Sequence, residues 1–114
     1  MTSIVSKPWG SYEVLEHQDE YSIKRIIVKS GGKLSLQSHK YRSEHWVIVK
    51  GEAEVTLNET TISLTSNESI FIPQNAKHRL ANNKQDDLIV IEVWYGETLD
   101  ENDIIRYEDI YNRS

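Results

Sequence analysis

The sequence predicts a small all-β domain, a sandwich or barrel built from short strands. Residues with high β-propensity alternate with polar residues in runs of four to nine, and clusters of Gly, Pro and Asn separate the runs at regular intervals. The 114 residues leave no room for the helical crossovers that a parallel sheet needs. We therefore expect one domain over residues 1–114.

Nine runs are predicted to be strands because of their alternation or their Val, Ile, Thr and Tyr content. They cover residues 12–15, 21–29, 33–39, 44–50, 53–57, 60–64, 69–72, 78–81 and 88–95. Turn-forming clusters such as Ser30-Gly31-Gly32 and Pro73-Gln74-Asn75 lie between them.

The tail, residues 101–112, is the one segment with helical spacing of apolar residues. It predicts a short C-terminal helix of one or two turns that folds back onto the domain as a lid or brace. The residues that produce this spacing are Ile104, Ile105, Tyr107, Glu108 and Tyr111.

Composition excludes several classes of protein. The net charge is −5 and the 13 Lys and Arg residues are scattered, which argues against a partner that is a nucleic acid or a membrane surface. Neither a signal peptide nor a run of about 20 apolar residues is present, so a cytoplasmic protein is expected. Because there is no cysteine, a transition-metal site must use His, carboxylate, amide or water ligands.

Four residues form two clusters with metal-ligand chemistry. Gln37 and His39 lie two apart on a predicted strand and so point the same way, and Glu44 opens the next strand. His78 begins a later strand after a turn. Two imidazoles, a carboxylate and an amide suit one divalent ion, with Zn²⁺, Mn²⁺ or Co²⁺ favoured and Ni²⁺ or Fe²⁺ also compatible.

Alternation in residues 44–50 predicts a sheet that is covered on both faces. Glu44, Trp46 and Ile48 share one face. The opposite face is also mostly apolar, with His45, Val47 and Val49. A second subunit is the simplest cover for this face, so we expect a homodimer; the alternative is coverage by the chain's own N- or C-terminal segment.

The order and spacing of these residues resemble the two motifs of the cupin family, whose fold is a double-stranded β-helix, or jelly roll. The first motif is matched by Gly31-x5-Gln37-x-His39-x4-Glu44-x6-Gly51 and the second by Asn67-x5-Pro73-x-Asn75-x2-His78-x3-Asn82. Gln37 stands where the family has its first His. Asn67 and Asn82 stand where it has Gly, and both are predicted to occupy turns with positive φ, which Asn tolerates.

Several further stretches resemble the type II phosphomannose isomerase domain, which commonly forms the C-terminal part of a bifunctional enzyme with a mannose-1-phosphate guanylyltransferase. The matching stretches begin at Lys7-Pro8-Trp9-Gly10, Leu34-Ser35-Leu36-Gln37, Arg42-Ser43-Glu44-His45-Trp46, Ile72-Pro73 and Asp103-Ile104-Ile105-Arg106. The resemblance implies a metal-dependent isomerase that interconverts mannose 6-phosphate and fructose 6-phosphate, on the route to GDP-mannose and polysaccharide. It also implies a free-standing isomerase domain, since no guanylyltransferase half accompanies it.

The resemblance suggests roles for individual residues. Arg42 matches an arginine that the family uses in catalysis, where it would bind phosphate or stabilise an enediolate. His45 is a candidate general base, although alternation puts it on the face opposite Glu44. Tyr41 replaces a His of the family, which removes one proton carrier. The candidate contacts to the sugar phosphate are Lys77, Arg79, Arg106 and Tyr41.

Two alternative functions fit the same residues. One is a metal-holding cupin that binds a sugar without catalysis, as an accessory to a separate guanylyltransferase. The other is an Fe²⁺-dependent dioxygenase, since the fold supports that chemistry as well. Oxygen consumption with an iron requirement would indicate the dioxygenase, whereas activation by Zn²⁺, Mn²⁺ or Co²⁺ without oxygen would indicate the isomerase.

Overall fold

A computed structural model describes residues 3–113, and this part of the chain forms eleven β-strands and no helix. The strands are β1 Ile4–Lys7, β2 Gly10–His17, β3 Tyr21–Val28, β4 Leu36–Ser38, β5 Arg42–Lys50, β6 Ala53–Leu57, β7 Thr60–Leu64, β8 Ser69–Ile72, β9 His78–Ala81, β10 Leu88–Gly96 and β11 Ile105–Glu108.

The strands form two antiparallel sheets that face each other. The larger sheet has the order β1-β2-β3-β10-β5-β8 and the smaller one the order β11-β4-β9-β6-β7. Strand β10 lies at the centre of the larger sheet, where it pairs with β3 on one side and β5 on the other. The all-β architecture expected from the sequence is confirmed.

The core lies between the two sheets and follows from the alternation along each strand. In β3, β5 and β10 every second residue is buried, so one face of the larger sheet is packed against the smaller sheet. Both sheets contribute to the same core cluster, which includes Val28, Trp46, Ile48, Val55, Ile72, Leu80, Leu88 and Val90.

All nine predicted strands are present, with shifts of a few residues at some ends. The helix predicted over residues 101–112 is wrong. The tail does fold back as a brace, but as strand β11, which pairs with β4. This pairing satisfies backbone groups that would otherwise lie unpaired at the edge of the smaller sheet. Arg79 holds the strand in place by donating from Nη1 to the Glu108 carboxylate and from Nη2 to its carbonyl oxygen, both at 3.2 Å.

The two Asn residues that replace glycines behave differently. Asn67 has a φ of 72°, which confirms the predicted turn conformation. The same prediction for Asn82 is wrong, because Asn82 is not among the described residues with positive φ. Its side chain is instead buried and donates from Nδ2 to the carbonyl oxygens of Val28 and Asp86, at 2.9 and 2.8 Å. Here the Asn is used for its hydrogen bonds, which join the start of the β9–β10 loop to β3.

The outer face of the larger sheet stays apolar and accessible within residues 3–113. Val49, Phe71 and Tyr95 on this face are 49%, 53% and 62% exposed. Neither terminal strand covers it, since β1 extends the same sheet sideways and β11 belongs to the other sheet. No helix long and apolar enough to cross a bilayer occurs in the same range.

Candidate metal centre and adjoining cavity

Three buried side chains converge between the sheets. His39 follows β4, Glu44 lies near the start of β5, and His78 is the first residue of β9. One candidate ligand atom from each residue lies within 4.8 Å of the other two. Gln37 belongs to the same neighbourhood, since it pairs with His78 across β4 and β9 and lines the adjoining cavity together with His39.

The backbone fixes the orientation of both imidazoles. His39 donates from Nδ1 to the carbonyl oxygen of Asp103 (2.7 Å), and His78 donates from Nδ1 to that of Ala76 (3.0 Å). Each Nε2 therefore carries a lone pair, as in metal-ligating histidines held by a backbone carbonyl. Nε2 of His78 is buried and has no hydrogen-bond partner among the described residues. A buried polar atom of this kind fits a metal ligand.

The surroundings of all three residues keep them in the protonation state that metal binding requires: neutral imidazoles and an ionised carboxylate. Burial lowers the pKa of His39 to about 4 and also lowers that of His78, so both rings are neutral near pH 7. Burial alone would raise the pKa of Glu44, but Arg42, with His39 and His78, outweighs it and holds the pKa at about 2. A carboxylate with two neutral imidazoles matches the donor set of a divalent transition metal.

Arg42 lies directly beside these ligand atoms. Its Nε donates to Oε2 of Glu44 at 2.8 Å, and Nη2 donates to Nε2 of His39 at 3.2 Å. The guanidinium stacks on Trp94, with 3.3 Å between its central carbon and the ring centroid. Arg42 therefore lines the same cavity as His39 and Glu44 of the triad.

The cavity beside the triad has a volume of about 250 Å³ and is rich in charge. Its aromatic lining comes from Trp9, Tyr12 and Trp94. Its charged lining comprises Lys7, Lys24, Arg42, Arg106, Arg113, Glu44, Glu92 and Glu101. Five cations against three carboxylates give a site that favours an anionic ligand, within a chain whose net charge is −5.

Lys24 and Glu92 are buried charges of this cavity that the sequence analysis did not identify. Lys24 on β3 forms an ion pair with Glu101, and its Nζ lies 3.6 Å from the Trp94 ring centroid. Glu92 on β10 accepts a hydrogen bond at Oε1 from Nε1 of Trp94 (3.1 Å). Burial, and next the charge of Glu44, raise the pKa of Glu92 to about 8. Period two groups each residue with one face of its strand, but the sequence alone does not show which face is inward.

Of the remaining predicted residues, Arg106 and Gln37 line the cavity and four others do not. His45 is exposed on the outer face of the larger sheet, where its ring contacts Phe71. Tyr41 is also exposed, in a surface groove that it shares with Phe71.

Two cations expected at the substrate are used elsewhere. Arg79 is buried and holds β11 through Glu108, and its Nε donates to the carbonyl oxygen of Leu34 (2.9 Å). Lys77 is exposed and its Nζ lies 4.3 Å from the ring centroid of Tyr107. The structure therefore does not bring Lys77, Arg79 or Tyr41 to the triad, and His45 lies on the face opposite Glu44, where alternation places it.

Comparison with known proteins gives the family. The family model described as mannose-6-phosphate isomerase C-terminal matches residues 1–109. The chain belongs to this family. Its residues are 46% identical over 110 positions to the xanthan biosynthesis protein XanB of Xanthomonas campestris, covering 96% of the chain and 24% of that protein.

A second relative is the mannose-1-phosphate guanylyltransferase ManC of Salmonella typhimurium. It is 47% identical over 109 residues, which cover 96% of the chain and 23% of ManC. The chain thus spans about a quarter of the length of these curated relatives. Among solved structures, an RmlC-like cupin from Shewanella frigidimarina superposes with a TM-score of 0.75 at 21% identity, covering 83% of this chain and 84% of that one. The predicted cupin fold is confirmed.

Proposed function

We propose that the protein is a metal-dependent sugar-phosphate isomerase that interconverts mannose 6-phosphate and fructose 6-phosphate. The observation that carries the proposal is the buried triad of His39, Glu44 and His78. Two of its members, His39 and Glu44, line a cavity that also has five cationic side chains in its wall. Family membership supports the choice of substrate. The product would enter the route to GDP-mannose and polysaccharide, in keeping with a relative named for xanthan biosynthesis.

The triad, with Gln37 beside it, would hold one divalent ion, for which Zn²⁺, Mn²⁺ or Co²⁺ is best suited. Such an ion supplies Lewis acidity, which stabilises negative charge on the sugar oxygens during proton transfer between C1 and C2. Arg42 faces the same space and is already desolvated, so its guanidinium would stabilise the same enediolate charge. The indole of Trp94 stacks on the guanidinium and so holds it in position at the cavity wall.

The phosphate would bind among the cations that do not contact the triad. Lys7, Arg106 and Arg113 line the cavity in addition to Arg42 and Lys24. Arg113 is held there by Asp109, which accepts from its Nε at 2.8 Å. A phosphate dianion would find both bidentate guanidinium donors and a compact ammonium in this lining. These residues replace the exposed Lys77 and the structural Arg79 as phosphate contacts.

The deciding experiment is a coupled assay for fructose 6-phosphate on chelator-treated protein, with and without added metals. Turnover that returns with Zn²⁺, Mn²⁺ or Co²⁺ and is indifferent to oxygen would support the isomerase. Oxygen consumption that depends on Fe²⁺ would support a dioxygenase instead. If the protein binds metal but shows no turnover with any ion, the function becomes that of a sugar-binding accessory to a separate guanylyltransferase.

We also propose that the protein is a homodimer that associates through the outer face of the larger sheet. Val49, Phe71 and Tyr95 remain exposed on this face when the chain is considered alone, and neither terminal strand covers them. Large apolar side chains exposed on one face of a sheet are a liability for a monomer in water, and a second copy would bury them symmetrically.

A further inference from the structure

Glu92 lies in the cavity wall at the centre of the larger sheet. On β10 it is paired with Lys24 of β3 on one side and with Trp46 of β5 on the other. The residue is 5% exposed and lines the cavity, and its Oε1 is fixed by the Trp94 indole at 3.1 Å. No donor among the described residues bonds to its second oxygen, Oε2. A carboxylate oriented in this way by a buried partner is suited to act on a ligand in the cavity.

We propose that Glu92 carries the proton between C1 and C2 of the sugar phosphate, with Lys24 as the neighbouring cation that stabilises its charged form. The assignment rests on the proposed isomerase function. It adds a proton carrier to a site in which the metal triad and Arg42 account for charge stabilisation but provide no base.

The other candidate bases in the cavity are already engaged. His39 and His78 belong to the triad, where Nε2 is the atom left for the metal, and each ring is bonded through Nδ1 to the backbone. Glu44 accepts hydrogen bonds from Arg42 and Trp46, one on each carboxylate oxygen.

The remaining charged candidates are also less suitable. Glu101 is half-exposed and paired with Lys24. His45, the candidate base in the sequence, lies on the outer face of the sheet. Among the described residues this leaves Glu92 as the buried carboxylate available to substrate.

The step balances without any co-reactant. In the direction from aldose to ketose, the Glu92 carboxylate takes the proton from C2. The electron pair of the C2–H bond forms the C1–C2 double bond, and the carbonyl pair moves onto O1. The O2 proton then passes to O1, the C2–O2 carbonyl forms, and C1 takes back the proton from the Glu92 carboxyl. No atom is gained or lost, and Glu92 returns to its starting state.

The electrostatic surroundings support this role. Burial and the like charge of Glu44 on β5 raise the pKa of Glu92 to about 8, against the opposing effects of Lys24 on β3, the Trp94 hydrogen bond and Arg42 on β5. A carrier whose pKa lies near neutral pH can both accept a proton and return it, which an ordinary carboxylate does poorly. Glu92 lies diagonally across β5 and β10 from Glu44, and among the described residues its hydrogen bond goes to Trp94 rather than to the triad.

The test is Glu92→Gln, which keeps the size of the side chain and an oxygen that can accept from Trp94. With the restoring metal present, we expect kcat for mannose 6-phosphate to fall about 100-fold or more, with KM changed less than about threefold. Incorporation of deuterium at C2 in D₂O, followed by NMR, should be lost in parallel. Metal content should match the wild-type protein, and the unfolding midpoint should not fall below it. Glu59→Gln, at the exposed turn between β6 and β7, is the matched control.

The results of these assays distinguish a failure of the Glu92 assignment from a failure of the proposed function. If wild-type protein turns over and Glu92→Gln retains both kcat and deuterium exchange, the assignment is overturned while the isomerase stands. A drop in kcat accompanied by loss of metal would also overturn it, since Glu92 would then act through the triad. Wild-type protein without turnover or exchange for any metal would overturn the isomerase and this assignment together.

Discussion

Arg42 and Glu44, two residues apart on β5, are joined by a buried ion pair in which Nε of the arginine donates to Oε2 of the carboxylate at 2.8 Å. Both side chains point inward because period two places them on the same face of the strand. The same guanidinium also donates to Nε2 of His39. Arg42 therefore contacts two of the three ligand atoms of the triad, and its charge opposes a cation bound there.

Replacing Arg42 separates metal binding from catalysis. We expect Arg42→Ala to bind divalent metal more tightly, by about tenfold, because a positive charge is removed from beside the ligands. Turnover should nevertheless be lost, since no guanidinium remains to stabilise the enediolate. Metal titration and the coupled assay measure the two effects, and Arg25→Ala, a partly exposed arginine on β3, is the control. Full activity in Arg42→Ala would show that the role assigned to Arg42 is wrong.

His78 offers the sharpest test of the metal centre, since its buried Nε2 has no hydrogen-bond partner among residues 3–113. We expect His78→Ala to weaken metal binding by about 100-fold or more, because losing only a hydrogen-bond partner of a ligand already costs about 10–100-fold. The fold should persist, with His78→Gln as a variant closer in volume. Metal content after dialysis and circular dichroism provide the measurements. His45→Ala, on the outer face, should retain its metal; equal retention by both alanine variants would argue against the triad.

The sequence predicted the fold well because the central strands β3, β5 and β10 alternate between buried and more exposed residues. Nine predicted strands exist, and the triad assembled from residues that local spacing had already singled out. The tail was mispredicted for a physical reason. Ile105 and Tyr107 of β11 are both exposed, so burial leaves no period-two signature in that segment. What makes it a strand is tertiary: the open edge of β4, the contacts of Arg79 with Glu108, and the bond between the Ser38 and Tyr107 hydroxyls (2.9 Å).

The cavity charges were missed for a different reason. Glu92 and Lys24 occupy inward positions of β10 and β3, but the outward positions of both strands are also apolar. The sequence alone therefore did not say which face was the core, and a charge on either face looked solvated. Only the pairing of β10 with both β3 and β5 puts the two residues opposite each other beside the triad. By contrast, Lys77 and Arg79 flank His78 in the sequence, but of these three residues only His78 reaches the triad.

The apolar outer face makes the oligomeric state testable. We expect a dimer at micromolar concentration by size-exclusion chromatography with light scattering, and a monomer for Phe71→Glu, since a charge at this 53% exposed position would have to be buried in the interface. Ile62→Glu, an exposed apolar residue on β7 of the other sheet, is the control and should remain dimeric. Wild-type protein that elutes as a monomer would end the dimer proposal.

The raised pKa of Glu92 predicts an unusual dependence of stability on pH in the metal-free protein. Its folded-state pKa of about 8 lies well above the ordinary value of 4.5 that applies when the chain is unfolded. Between these values the folded state binds more protons than the unfolded state, so this residue makes the free energy of unfolding fall as pH rises from about 4.5 to about 8. His39 acts in the opposite sense. Its folded-state pKa of about 4 causes stability to be lost as pH falls from about 6.5 towards 4.

Glu92→Gln isolates the first effect, because the contribution of His39 is common to both proteins and cancels in the difference. We expect the variant to gain stability relative to wild type across pH 4.5 to 8, by on the order of a few kcal/mol at the alkaline end. Urea unfolding of chelator-treated protein at several pH values measures this difference, and Glu59→Gln controls for the loss of one negative charge. A difference that stays flat with pH would mean that Glu92 is ionised in the folded protein, and that Lys24 and Arg42 outweigh its burial.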